Sequence, residues 1–242
     1  MKRTTVGLTI VLVVIIVVAA VAAVVFYARF LPDNSKTQTM NFTGFTALKV
    51  SSAFRVTITQ SDTYSVVITA SESIFDQVEV NNTGNTLEIG VRPGTYSGSI
   101  DLEARITMPR LDSIGLSGAT QGTATGFSST DPFAANLSGA SSLVMTNFKA
   151  GNLTIELSGA SSLTAHGSAN GLVSALSGAS GLNLSNLPVN DAGMTLGGAS
   201  HAQIDVNGRL DANLSGASSL EYSGSPTLGN ISASGFSSIS KE

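Results

Sequence analysis

The sequence predicts an all-β fold: a parallel β-helix of about 20 residues per coil behind one N-terminal transmembrane helix. Three observations carry this. A pentapeptide of Leu-Ser-Gly-Ala-Ser type recurs through the second half, and its central glycines are Gly118, Gly139, Gly159, Gly178, Gly198, Gly216 and Gly235. Short stretches between the copies, such as Asn152-Leu-Thr-Ile-Glu-Leu157, alternate apolar and polar residues with the period of a strand. The N-terminus opens on a long aliphatic run.

That run, from Val6 to Ala28, contains no charged residue. As a helix it would be roughly 35 Å long, enough for a ~30 Å hydrocarbon core, with every backbone hydrogen bond satisfied internally. Lys2 and Arg3 precede it and Arg29 follows. This balance predicts a single-pass cell-membrane anchor in the lipid bilayer, residues 1–30, with the N-terminus cytoplasmic and the body outside. The alternative is secretion after signal cleavage at the small residues near Ala20-Val21-Ala22. Residues 31–40 are polar and read as a stalk. Without Lys2, Arg3 and Arg29, the chain keeps 9 basic and 16 acidic side chains, an exported charge of −7. Nucleic acid is therefore not an expected partner.

Residues 111–242 form the regular repeat. Its seven glycines recur with a period of about 20 residues and never stray far from it. A disordered Ser/Gly linker does not keep such a period, whereas stacked coils about 4.8 Å apart require one. In each corner Leu is read as pointing inward, the next Ser outward, and Gly as making the turn. Ala is read as pointing inward where two walls converge. A further inward residue follows: Leu143, Leu163, Leu182, Leu220 or Ile239. Like then stacks on like, and serine hydroxyls are expected to bond to one another along a ladder.

Residues 41–110 are less regular and read as the start and cap of the same solenoid. Leu48 to Ile58 overlays on the repeat with Ser52 in the glycine place. The interval from Ser52 to Gly118 is close to three coil lengths, which suggests three coils between them. Gly84-Asn85 offers a hairpin turn, so some strands here are expected to be antiparallel. The aromatics and arginines gathered in this region would close one end of the stack. Phe236, in the Ala place of the last repeat, would close the other.

Phe42-Thr-Gly-Phe-Thr-Ala-Leu-Lys-Val50, Phe54-Arg-Val-Thr-Ile-Thr-Gln60, Ile106-Thr-Met-Pro-Arg-Leu111 and Tyr222-Ser-Gly-Ser-Pro226 resemble a domain family of unknown function labelled "putative auto-transporter adhesin, head GIN domain". The resemblance runs from about Asn41 to Ser240. It implies a right-handed β-helix on an exported or membrane-anchored protein, and it brings no catalytic residues. Where many members repeat Ser-Gly-Ser-Gly, this chain has Ala for the second Ser.

Composition limits the chemistry. With no Cys and no Trp, disulfide scaffolds, thiolate metal sites, a Cys nucleophile and a lipoprotein anchor are excluded, and an aromatic sugar platform is disfavoured. His166 and His201 lack spaced partners, and a metal site needs a third ligand, so no metal or cofactor is predicted. The densest polar cluster in the repeats is Asp191, His201, Asp205, Arg209 and Asp211. Asp191 and Asp211 are separated by one coil length and could stack. A hydrolase would need two carboxylates a few Å apart, one as acid and one as base; solvated loop residues are the simpler reading. Seven Asn-x-Ser/Thr triplets, at Asn41, Asn81, Asn136, Asn152, Asn183, Asn213 and Asn230, arise largely from the repeat. The leading expectation is a non-enzymatic, membrane-anchored surface protein of adhesin-like or structural type, presenting a rigid polar wall to a glycan or protein. The alternative is an extracellular polysaccharide-active β-helix enzyme of pectinase or lyase type.

Overall fold

The computed structural model describes residues 35–96 and 100–242. The anchor expected at Val6–Ala28 lies outside the described residues. Among those described, no helix is long and apolar enough to cross a membrane.

Two parallel walls of short strands face each other across an apolar core. In the first wall, Ala47–Val50 (β2), Ser113–Leu116 (β8), Phe133–Leu137 (β10) and the end of Ser142–Leu157 (β11) lie side by side. The wall continues through the end of Ser162–Leu176 (β12), Asp191–Leu196 (β14), Arg209–Leu214 (β16) and Thr227–Ala233 (β18). The second wall begins with Arg55–Gln60 (β3) and Gln121–Thr125 (β9), followed by the first halves of β11 and β12. Gly181–Val189 (β13), His201–Val206 (β15), Ser219–Ser223 (β17) and Ser238–Lys241 (β19) complete it. From Gly118 to Gly235 this is a solenoid of six turns with nearly no helix.

Register stacks like on like. Leu116, Leu137, Leu157, Leu176, Leu196 and Leu214 form one inward ladder and are all buried. Each such side chain contributes about 1.5–3 kcal/mol relative to exposure. Leu143, Leu163, Leu182 and Leu220 line the other wall as expected, with Ala202 between the last two and Ile239 half-buried.

The corner differs from the sequence expectation in one respect. The seven glycines all have φ between 72° and 80°, the left-handed region that an L side chain resists. That turn breaks the in–out alternation, so Ser, Gly and Ala all face solvent and the second Ser faces in. Ala140, Ala160, Ala179, Ala199 and Ala217 are exposed, whereas Ser141, Ser161, Ser180, Ser200 and Ser218 are buried. Burial of these hydroxyls is tolerated because each donates to a carbonyl three residues back, as in Ser161 Oγ to Ser158 O at 2.9 Å. Ser141, Ser180, Ser200 and Ser218 do the same at 2.7–3.0 Å. The expected chain of hydroxyl-to-hydroxyl bonds along the ladder is therefore replaced by hydroxyl-to-carbonyl bonds. One Ser–Ser contact along the buried ladder, Ser218 with Ser237 at 3.4 Å, resembles it.

The N-terminal region winds out of order. Ser52 occupies the glycine place with φ 71° and lies directly against Gly118. The two are neighbours in the stack, not three coils apart: Ser117 N donates to Val50 O and Gln121 N to Phe54 O. The intervening chain forms Ser65–Ser71 (β4), the short helix Glu72–Phe75 (α1), Val78–Thr83 (β5), Thr86–Val91 (β6) and Leu102–Met108 (β7). It then lays β6 and β7 on the outer edges of β2 and β3. The expected hairpin at Gly84-Asn85 joins β5 and β6 antiparallel. Ser35–Met40, expected as stalk, is instead a strand (β1) that pairs antiparallel with β4, which itself pairs antiparallel with β7. Phe45, Phe54, Ile74 and Phe75 are buried in this end, as the aromatic content suggested. At the other end Phe236 is 94% exposed and closes nothing, and Leu228 and Ile231 are also exposed. At Phe236, as at the alanines it replaces, the turn directs the side chain to solvent.

Candidate functional site

The five residues of the polar cluster do not converge. Register places Gly193 opposite Asp211, so Asp191 and Asp211 do not stack. Arg209 grips Asp211 with two bonds, Nε to Oδ2 at 2.6 Å and Nη2 to Oδ1 at 2.7 Å. Asp191 Oδ1 accepts from the Arg209 backbone N–H at 2.8 Å, and Asp211 Oδ1 from the Asn230 N–H at 2.7 Å. The ladder between β16 and β18 shifts register between Leu210 and Ala212. Asp211 therefore supplies an acceptor where the regular pairing breaks, clamping the last layer to the one before it. His201 and Asp205 lie on the second wall. The His201 ring meets Ser219 Oγ at 2.8 Å, and Asp205 accepts from Asn207 at 3.5 Å.

Electrostatics agree with a clamp. The hydrogen bond from Arg209, then the Asn230 backbone N–H, hold the Asp211 carboxyl below its ordinary value, and the same bond raises Arg209. A depressed acid favours the charged pair, so the clamp persists at neutral pH and is released only as pH falls through the lowered value. Such a carboxylate is a poor general acid. Among the described residues, no three His, Asp or Glu side chains gather as a metal site would need. Along the adjacent corner, Asn190 donates to Asn170 at 2.9 Å and Asn170 to Asn152 at 3.3 Å, an amide ladder that spends its polar atoms on itself.

A second feature lies on the outward side of the first wall near its N-terminal end. A groove of about 540 Å³ crosses β5, β6, β2, β8 and β10, within the ~300–1,000 Å³ usual for ligand sites. Pairing sets Asn81, Glu88, Lys49, Gly115 and Asn136 in one row across these five strands. Gly115 leaves a gap in that row. Lys49 Nζ pairs with Glu88 at 3.2 Å and Arg92 with Glu79 at 2.7 Å, the two basic side chains being mostly exposed and the two glutamates about half. Ser51, Ser117 and Ser138 line one side. Of these residues the sequence singled out Asn81 and Asn136, as members of Asn-x-Ser/Thr triplets, and not as parts of one site. Gly115 also left a trace: other corner leucines follow Asn136, Glu156, Ala175, Thr195 or Asn213, whereas Leu116 follows a glycine.

The sequence pattern of the family described as "putative auto-transporter adhesin, head GIN domain" matches residues 44–226. No curated protein matches significantly. Among solved structures, the fold is similar to a "putative adhesin" from Bacteroides fragilis, with a TM-score of 0.77 and 19% identity, covering 86% of this chain and 97% of that one. A "putative adhesin" from Parabacteroides merdae follows at TM-score 0.62 and 17% identity, covering 87% and 97%. A "putative lipid binding protein" from Parabacteroides distasonis has TM-score 0.60 and 15% identity, covering 87% and 98%. At these identities the likeness is one of fold.

Proposed function

The chain belongs to the head GIN domain family of putative auto-transporter adhesins, and from that premise we propose that it is a non-enzymatic, adhesin-like surface protein. In this reading the right-handed solenoid stands outside the cell, tethered by Val6–Ala28 with the N-terminus inside, and its first wall meets a glycan. The observation that carries the reading is how the polar groups are used. Asp191, Arg209 and Asp211 serve the stack itself, while elsewhere the outward face of the first wall mixes amides and hydroxyls such as Asn136, Thr154, Thr195 and Asn213 with a few charged and apolar side chains, on a backbone tied coil to coil. Such a surface is pre-organised, so little ordering entropy opposes contact. Many weak contacts on many copies then add through avidity.

The test uses cells carrying the full chain. A membrane-impermeant amine reagent is expected to label Lys49 and Lys149 on intact cells. The same cells are expected to adhere to glycan-coated surfaces severalfold better than cells lacking the chain. Labelling only after lysis would overturn the location, and equal adhesion would overturn the function.

A further inference from the structure

We infer that the groove on the first wall between β5 and β10 is a binding site for a short, uncharged glycan chain, an inference that rests on the adhesin-like reading and gives it a location. Four properties of the groove select this ligand class.

The first is space without structural need. Gly115 does not have a positive φ, and a Cβ there would meet nothing closer than Lys49 Cγ at 3.5 Å. The corner glycines differ: a Cβ on Gly159 would lie 2.4 Å from a backbone oxygen. The fold therefore does not demand glycine at 115, where it weakens a strand, yet its absence of side chain opens the trough.

The second is charge. Lys49 is paired with Glu88 and Glu79 with Arg92, so the rim has no net field to attract a polyanion or a cationic peptide. The third is a floor closed to a peptide strand. The floor strands β6, β2 and β8 are paired on both edges, so strand addition has no ladder within the floor, and of the groove's strands β5 at the margin alone keeps an edge among the described residues. Leu48, Val50, Ile89, Ile114 and Leu116 point into the core, at most 2% exposed, and leave no apolar socket.

The fourth is unspent hydrogen bonding. The side chains of Asn81, Ser113, Ser117, Asn136 and Ser138 line the groove and have no partner among the described residues, unlike the Asn ladder and the Asp211 clamp. Hydroxyls and amides each donate and accept, the complement of a sugar hydroxyl. Without an aromatic platform single-site affinity is modest, which suits display in many copies.

The experiment titrates the full chain in detergent micelles with neutral oligomers of glucose, galactose and N-acetylglucosamine, with oligogalacturonate and with an extended neutral peptide. A neutral oligosaccharide is expected to bind. Gly115→Gln is expected to weaken that binding by at least about tenfold, equivalent to ~1.4 kcal/mol, without lowering the unfolding midpoint. Gly181→Gln, on the second wall where a Cβ meets nothing within 4 Å, is expected to leave binding unchanged. Full binding by Gly115→Gln, or its loss with Gly181→Gln, would overturn the groove as the site while leaving the adhesin-like reading intact. Binding of the anionic oligomer or the peptide alone would overturn the ligand class. No binding to any probe would overturn both this site and the glycan reading behind it.

Discussion

Gly159→Ala is expected to destabilise the solenoid by about 3 kcal/mol or more, from left-handed strain and a backbone collision acting together. The strain follows from φ 74° at this position. The collision follows from stacking: the new Cβ would lie 2.4 Å from Gly139 O and 3.1 Å from Gly139 N. Those atoms are backbone, held by the Ala160 N–H to Gly139 O bond at 2.7 Å, so they cannot swing aside as a side chain would. The next layer has the same constraint, since a Cβ on Gly178 would lie 2.4 Å from Gly159 O. A shift in one coil is thus passed to its neighbour. Denaturant midpoints of the full chain measure the effect. Gly181→Ala, with ordinary φ and open space, is the control and should stay level or gain up to about 1 kcal/mol. Equal behaviour of the two variants would mean the corners are not stacked as described.

Ser161→Val is expected to cost about 2–3 kcal/mol, whereas Ala160→Gln is expected to stay within about 0.5 kcal/mol of the parent. Ser161 is 1% exposed, and its hydroxyl donates to Ser158 O at 2.9 Å and Leu137 O at 3.3 Å. Valine removes that donor, so Ser158 O loses this bond, while Leu137 O keeps the Ser158 N–H at 2.9 Å. Ala160 faces solvent, so a longer polar side chain there has room. Simple alternation through the corner would give the reverse order, with Ala160 intolerant and Ser161 free. The same pair of midpoints therefore decides between the two arrangements.

Much of the fold was legible in the sequence because two demands fall on the same residue. A corner needs glycine for its dihedral angle and again for its neighbour's carbonyl, so Gly118 to Gly235 keep their place at every turn. The leucine ladder was legible for a similar reason: Leu137 and Leu157 each meet their own kind above and below. What lay inside the corner was not, because a left-handed glycine suspends the in–out alternation used to assign facing. The N-terminal winding was not legible either. Pairing β2 with both β6 and β8 joins segments that sequence order separates, and the interval from Ser52 to Gly118 happens to be close to a multiple of the coil length. The groove inherits that difficulty, since Lys49 and Glu88 come from layers stacked out of order. The polar cluster misled in the opposite way. Within one coil, residues a few positions apart sit on different walls, so the sequence density of His201, Asp205 and Arg209 has no spatial counterpart. Asp191, Arg209 and Asp211 are gathered by register, and as a clamp.

The central structural claim, that a Ser/Gly-rich chain of low charge is a hydrogen-bonded stack and not a linker, is tested most directly by amide hydrogen exchange on the full chain. The N–H groups of Ala140, Ala160, Ala179, Ala199 and Ala217 each donate to the glycine carbonyl of the preceding coil at 2.7–2.8 Å, although their side chains face solvent. They are expected to exchange orders of magnitude more slowly than free amides, with the Phe236 N–H in the uncovered last layer the fastest of the series. Exchange of all six at the rate of an unstructured peptide would contradict the stack.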